Sequence, residues 1–538
     1  MMIRLVSVGA TLAALVAAQS ANASMQRSVT PQVSARALIA PHGVARTSAG
    51  TGYLHSQIEC TARGNPSRDV FLDCDDAAAP NDEQHIVVDP KNSRHMIASA
   101  NDYDSAGDEF YTTFDGGRTW VTGDMSLLDD TRTGSDPVTA IDPRTNTAIH
   151  SSLNYQFTDA GESTNGHVVV SLSRDGGLHW GKPVIVYRGH GADSDPVQVF
   201  NDKPWVYTDT NPASPYYGRT YLTWSRFLAH NGAYVESPIW ESHSDDGGQT
   251  WSNAHEISGS SRTCTFQEAG AALQCDEDQG SVITTTADGS VYVAFENGQH
   301  EAAWEPGEQF ESQYMVVRST DGGTTFGGPV RVADLEDGTR DFPLNADDRS
   351  TLTGYQLRIP TYGNITASPL DGTLYVTFTD NRAGRHDVDN PVTDTNVFIA
   401  WSRDHGRTWH SPVPVTRAAG DQWFPSAAVD PTTGKVGVLY NTRGATNGTL
   451  FNAELSEGAP GSWTRTTLSQ RPSNPRNSLV FQAGVPGCLK CALFHGDYIT
   501  LAYGRDGSAN AAWTDHRRFI DLGNGDDGFT QNTFFARR

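Results

Sequence analysis

The sequence predicts an all-β fold built from repeated four-stranded antiparallel units, and three observations carry that expectation. A pattern S/T-x-D-x-G-x-x-W/F recurs five times, at Thr113 to Trp120, Ser173 to Trp180, Ser244 to Trp251, Ser319 to Phe326 and Ser402 to Trp409. Around it lie short alternating or apolar runs bounded by Gly and Pro turns, which read as strands. No convincing long helix follows residue 23. Each pattern places an aspartate where its short side chain can accept hydrogen bonds from backbone N–H groups two or three residues on. The glycine supplies a positive φ without steric cost, and the aromatic anchors the turn by burying a large apolar surface. Five copies in register imply a modular fold.

Residues 1–23 read as a secretory signal peptide. Arg4 begins it, Leu5 to Ala18 form the apolar stretch, and Ala21-Asn22-Ala23 provides a cleavage site. Residues 24–80 have little periodicity and read as an N-terminal arm. Seven units are then counted, starting near residues 83, 136, 200, 279, 358, 423 and 495, with six as the alternative. First strands end in turns such as Asp89-Pro90 and Asp142-Pro143, and second strands are apolar, as in Val291 to Phe295. The sixth unit has a degenerate turn, Ser456 to Trp463. The seventh has only three strands, which invites a strand of the arm, around Tyr53 to Glu59, to close it.

A net charge of −24 argues against nucleic acid and anionic membranes as partners. It leaves room for a small anionic ligand held by a few arginines. No second apolar run is long enough to span a membrane, so a soluble, exported, monomeric protein is expected, secreted or periplasmic, without membrane insertion. The six cysteines fall into three close pairs, Cys60 with Cys74, Cys264 with Cys275 and Cys488 with Cys491. Loop staples in an oxidising compartment explain them better than zinc, because no histidines stand at zinc-ligand spacing. No cofactor is expected, with a structural calcium at loop carboxylates as the one allowance.

The five turns resemble the Asp boxes (BNR repeats) of the sialidase superfamily, and the resemblance spans roughly residues 80–538. It implies a β-propeller of four-stranded blades. In that family the boxes lie on outer turns away from the ligand, so they are read as staples. Ligand sites are expected from the loops that lead into first strands and leave second strands. Here the first set carries Glu83, Asp136, Asp202, Lys203, Arg358, Asp497 and Tyr498, and the second carries Glu296, Arg382, Arg443 and Arg517.

Leu357-Arg358-Ile359-Pro360 resembles the F/Y-R-I-P motif of sialidases, whose arginine pairs with the substrate carboxylate. A planar guanidinium suits that task because it grips a carboxylate bidentately. The resemblance extends through Asp380-Asn381-Arg382 to an acidic loop holding Asp387 and Asp389, where sialidases carry their acid/base aspartate. It further implies a tyrosine nucleophile with a glutamate partner. Tyr498, beside Asp497, is the best tyrosine, Glu83 and Glu296 are candidate partners, and Arg443 and Arg517 would complete an arginine triad with Arg358. In sialidases the R-I-P motif belongs to the first blade, whereas four boxes precede it here.

Three functional readings follow. The first is an exported sialidase-like glycoside hydrolase that releases a terminal acidic sugar from a glycan. The second is a lyase or other hydrolase of acidic polysaccharides, with Tyr498 or His495 moving protons. The third is a non-catalytic carbohydrate-binding or scaffold propeller. No His-x-x-x-His, H-E-x-x-H or G-x-S-x-G motif supports a metal enzyme or a serine hydrolase.

Overall fold

The computed structural model describes residues 57–538, apart from 75–77, 160, 193, 267–270, 301–310, 339, 388, 445–447, 486, 524 and 526. The segment expected to be a signal peptide, residues 1–23, and most of the expected arm therefore lie outside the described residues. Seven antiparallel blades form a ring, a seven-bladed β-propeller, and no helix occurs among the described residues. The innermost strands are Asn81–Asp89, Thr133–Asp142, Gln198–Thr208, Asp278–Thr285, Tyr362–Ala367, Gln422–Val429 and Thr500–Tyr503. We number the blades I to VII in that order. Among the described residues no helix is long and apolar enough to cross a membrane.

The repeated turns show why the chain folds this way locally. In blade I, Asp115 Oδ1 accepts from the backbone N–H of Arg118 at 3.0 Å and of Thr119 at 2.9 Å. Gly117 N donates to Thr113 Oγ1 at 3.1 Å, and Trp120 Nε1 donates to the Gly117 carbonyl at 3.1 Å. The glycine at the fifth position of each turn faces the preceding blade. A Cβ on Gly177 would lie 2.7 Å from Ile97 Cδ1 of blade I, and one on Gly248 2.8 Å from Leu172 Cδ2 of blade II. The motif thus sets the local turn and also leaves the space that lets neighbouring blades stack.

Ring closure comes from the arm. Val70–Phe71 pairs with the C-terminal strand Asp527–Arg537 and gives blade VII its fourth strand. Of the segment around Tyr53 to Glu59, only 57–59 is described. It belongs to the strand Gln57–Arg63, which pairs with Thr119–Asp124 and makes blade I five-stranded. The closing strand therefore lies further along the arm than that segment. The sequence hides it because two residues carry no periodicity. The same seam buries Trp120 against Phe535, ring centroids 4.9 Å apart. Disulfides join Cys60–Cys74, Cys264–Cys275 and Cys488–Cys491, the pairs expected from proximity.

A second repeat was not legible as a motif. The innermost strands of blades I to VI all break register at one level, at Asp82/His85, Ser135/Val138, Asp202/Trp205, Gln279/Val282, Tyr362/Ile365 and Trp423/Ser426. Such bulges re-aim side chains and recur beside active sites. In five of them the first bulged residue is left-handed: Glu83 (φ 61°), Asp136 (60°), Lys203 (50°), Gly280 (65°) and Phe424 (55°). Four of these are not glycine, so the surrounding structure holds backbone strain at this level.

Candidate active site

The bulges gather polar side chains at the level of the register breaks. Lys203 is the hub. Its Nζ lies 2.7 Å from Asp497 Oδ2 and 3.8 Å from Glu83 Oε1. It also stands 5.3 Å from the ring centre of Tyr498 and 5.4 Å from that of Tyr362. Arg358 grips Asp497 through both Nε, at 3.1 Å, and Nη2. Lys203 is 5% and Arg358 4% exposed, so this is a buried network. A hydrogen-bonded chain ties it across three blades. Asn101 Nδ2 donates to Asp82 Oδ1 at 2.9 Å and Glu83 Oε2 at 3.1 Å, Asp136 N donates to Asn101 Oδ1, and Lys203 N donates to Asp136 Oδ2. A cavity beside the hub is lined by Asp136, Lys203, Trp205, Tyr362, Phe424, Asp497 and Tyr498 among others.

Electrostatics sort these groups into two states. Burial alone would raise Asp497, yet Arg358 and Lys203 hold its carboxyl far below the usual range, so it is ionised. Burial would lower Lys203, yet Asp497, Tyr362 and Glu83 hold it well above the usual ammonium value. Burial raises Glu83 well above the normal carboxyl range, only partly offset by Lys203. Burial and then Asp202 push Asp136 up to about 7, and burial pushes Asp202 up to about 7. Protonated and ionised carboxyls thus stand around one ammonium. Environments that push neighbouring acids apart in this way mark acid and base roles.

The residues singled out from sequence are partly gathered here. Glu83, Arg358, Asp497 and Tyr498 converge on Lys203. The Tyr498 hydroxyl donates to the Pro137 carbonyl at 3.3 Å, and burial together with Glu83 and Asp136 keeps it protonated well above its usual value. Glu296 lies elsewhere, accepting from Thr361 Oγ1 at 2.5 Å, and burial with Asp337 pushes it up to about 8. The three arginines occupy separate ion pairs. Arg443 holds Asp421 at 2.5 Å and lies over Tyr355, while Arg517 bridges Asp69 and Asp515 over Phe534. Arg382 folds back onto Asp380 and Phe398. Asp387 is half-buried and Asp389 exposed in a loop of blade V. Beside them Glu336, Asp341 and His386 offer ligand atoms within 4.8 Å of one another, the one such group among the described residues.

Sequence reasoning placed Asp136, Asp202 and Lys203 in the right loops but gave no reason to select them. Their signal was the recurring X-Pro at the bulge: Asp136-Pro137, Lys203-Pro204 and Phe424-Pro425. Tyr362 and Arg349 were missed. Burial and the neighbouring Arg358 pull Arg349 down to about 10, so two guanidinium groups are close enough to repel.

These shifts fix the sign of a pH effect. An acid whose pKa rises on folding takes up a proton, so its stability contribution is lost as pH climbs from its unfolded value to its folded one. Besides Asp136 and Asp202, Asp124 is pushed up to about 9 by burial and then Asp102, and Glu296 to about 8. His85 and His516, lowered by burial to about 3 and 4, act oppositely, but only below their unfolded pKa of about 6.5. Above that the carboxyls act alone. Each proton held contributes about 1.4 kcal/mol per pH unit at most. The melting temperature in a chelating buffer therefore falls from pH 6.5 to 8. A flat or rising trend would contradict buried, protonated carboxyls.

No protein-family model matches the chain, and no curated protein matches it by sequence. Among solved structures it is similar to the GH93 alpha-L-arabinofuranosidase of Fusarium graminearum in complex with arabinobiose. There the identity is 13% and the TM-score 0.44, over 72% of this chain and 94% of that one. A PL25 ulvan lyase gives 10% identity and a TM-score of 0.44 over 89% and 94%. A leech intramolecular trans-sialidase complexed with 2,7-anhydro-Neu5Ac gives 13% identity and a TM-score of 0.37 over 88% and 70%.

Proposed function

We propose that this chain is an exported glycoside hydrolase that releases a terminal acidic sugar, sialic-acid-like, from glycans, and that its reaction centre is the Lys203 cluster. The observation that carries this reading is the gathering of Asp136, Lys203, Asp497 and Tyr498 on one cavity, with Lys203 Nζ 2.7 Å from Asp497 Oδ2. Burial and Asp202 raise Asp136 to about 7, while, against the effect of burial, Arg358 and Lys203 hold Asp497 far below the usual range. Glycoside cleavage needs a proton donor for the leaving oxygen and negative charge near the anomeric carbon. Asp136 is the donor in this reading. Glu83, raised well above the usual carboxyl range by burial and hydrogen-bonded to Asp136, is a further proton source in this reading. Arg349 and Arg358 supply the positive charge that favours an acidic sugar, beyond what Asp497, paired with Arg358, already balances. Tyr498, which the sialidase resemblance offers as the attacking group, lines the same cavity with its hydroxyl hydrogen-bonded to the Pro137 carbonyl. The leader sequence and the three disulfides support export into an oxidising compartment.

The test uses purified mature protein, fluorogenic glycosides of sialic acid and of a uronic acid, and the variants Asp136→Asn and Tyr498→Phe. Wild type should release the fluorophore, and Asp136→Asn should lose roughly 100-fold to 10,000-fold in rate. Because the donor must carry its proton, the wild-type rate should fall as pH rises past 7. No release from either substrate, or full activity in Asp136→Asn, sinks the assignment. A product absorbing in the near ultraviolet would instead identify a lyase.

A further inference from the structure

On the Arg358 side the cluster meets a strap, described at residues 475–485 and 487–494, that runs from blade VI to the innermost strand of blade VII. It folds back on itself as a hairpin of Gln482–Val485 and Cys488–Ala492. Leu479 N donates to the Phe529 carbonyl at 2.8 Å and Phe529 N to the Asn477 carbonyl at 2.8 Å, which ties the strap to blade VII. Lys490 Nζ adds a bond to the Asp527 carbonyl at 3.1 Å, and further bonds close the strap on itself. Ser478 N donates to the Lys490 carbonyl at 2.7 Å, Ala492 N to Pro475, and Leu493 N to Phe481 at 2.6 Å. The strap grips the site directly. Arg358 N donates to the Leu493 carbonyl at 2.8 Å, and the Arg358 guanidinium lies 4.8 Å from the ring centre of Phe494. Three residues further on is Asp497.

Two features set this strap apart. Phe481 and Asn477 both have positive φ, 47° and 54°, so the strap stores backbone strain in residues other than glycine. It is also pinned by a disulfide between residues only three apart, at a hairpin tip where Leu489 is 84% exposed. Cys488 is half-buried whereas Cys491 is 3% exposed. One sulfur is therefore open to attack and the other is a sheltered leaving group. By contrast, both sulfurs of Cys264–Cys275 belong to buried residues in the core.

We propose that Cys488–Cys491 is an exchangeable latch, opened in the folded protein by a dithiol, and that opening it frees the strap from Arg358. A thiolate of the dithiol attacks Cys488 Sγ. The S–S electron pair leaves on Cys491 Sγ, which takes a proton from water. The second thiolate of the dithiol then displaces Cys488, so the protein disulfide gains two electrons and the dithiol becomes a disulfide. The latch concerns a strap beside the proposed reaction centre but needs no reaction there, so the two ideas fail separately.

The test treats native full-length protein with dithiothreitol, alkylates it, maps the modified cysteines and follows amide hydrogen exchange by peptide. Cys488 and Cys491 should be alkylated while Cys264 and Cys275 stay bonded, with exchange across 475–498 at least tenfold faster and the other blades unchanged. A Cys488→Ser, Cys491→Ser double variant should show the same fast exchange without dithiol. The latch is overturned if Cys488 and Cys491 resist alkylation, if they open with no change in the strap, or if exchange rises throughout the ring.

Discussion

Methionine in place of Lys203 destabilises the protein by about 3–5 kcal/mol at pH 7, the usual result of removing one partner from a buried ion pair. The side chain volume is nearly kept, so the loss measures charge. Asp497 would retain Arg358, but Asp497 Oδ2 would lose an ammonium at 2.7 Å. A pH signature separates this from a packing defect. The stability contributed by Asp497, whose pKa is depressed on folding, is present above its unfolded value and lost as pH falls through the folded one. The deficit of Lys203→Met should therefore shrink below about pH 4, where protonation of Asp497 relieves the unmatched charge. Lys203→Arg should recover much of the loss. Urea unfolding at pH 7 and about pH 2.5 reads all three, and a deficit under about 1 kcal/mol at pH 7 would mean that water, not Asp497, balances this ammonium.

Alanine at Trp120 should cost about 3–5 kcal/mol, the range for emptying a large buried aromatic site. Trp120 is fully buried, and its indole spans the repeated turn of blade I and Phe535 of blade VII. The matched control is Trp463 of the degenerate sixth turn, which is only half-buried on strand Ser462–Thr467. Trp463→Ala should cost well under half as much. Equal losses in chemical denaturation would show that the aromatic acts within its own turn, not at the seam between blades.

The contrast between these two tryptophans explains what was legible in the sequence. Local hydrogen bonding writes itself into consecutive residues, so the five turns and the seven-unit count could be read directly. The closing strand Val70–Phe71 could not, because its partner is at the other end of the chain and two residues carry no pattern. The site divides in the same way. Arg358 stood out because Arg-Ile-Pro is contiguous, and Asp497 and Tyr498 because they adjoin a strand. Lys203 and Asp136 acquire their chemistry from neighbours on other blades, and nothing beside them in sequence encodes that. The three arginines illustrate the converse. Residue type suggested a common task, while Asp497, Asp421 and the Asp69–Asp515 pair each claimed one of them.

The seam where Val70 and Phe71 meet Phe535 and Phe534 also bears on synthesis. A chain made from its N-terminus holds the closing strand long before it can use it, because Asp527–Arg537 emerges more than 450 residues later. Until then blade VII lacks both Asp527–Arg537 and its partner, and the ring stays open with unpaired strand edges at the gap. Such edges invite other chains to pair. A product that stops before Asp527 is thus not a slightly shorter protein but one whose ring is open and whose strand edges can pair with other chains.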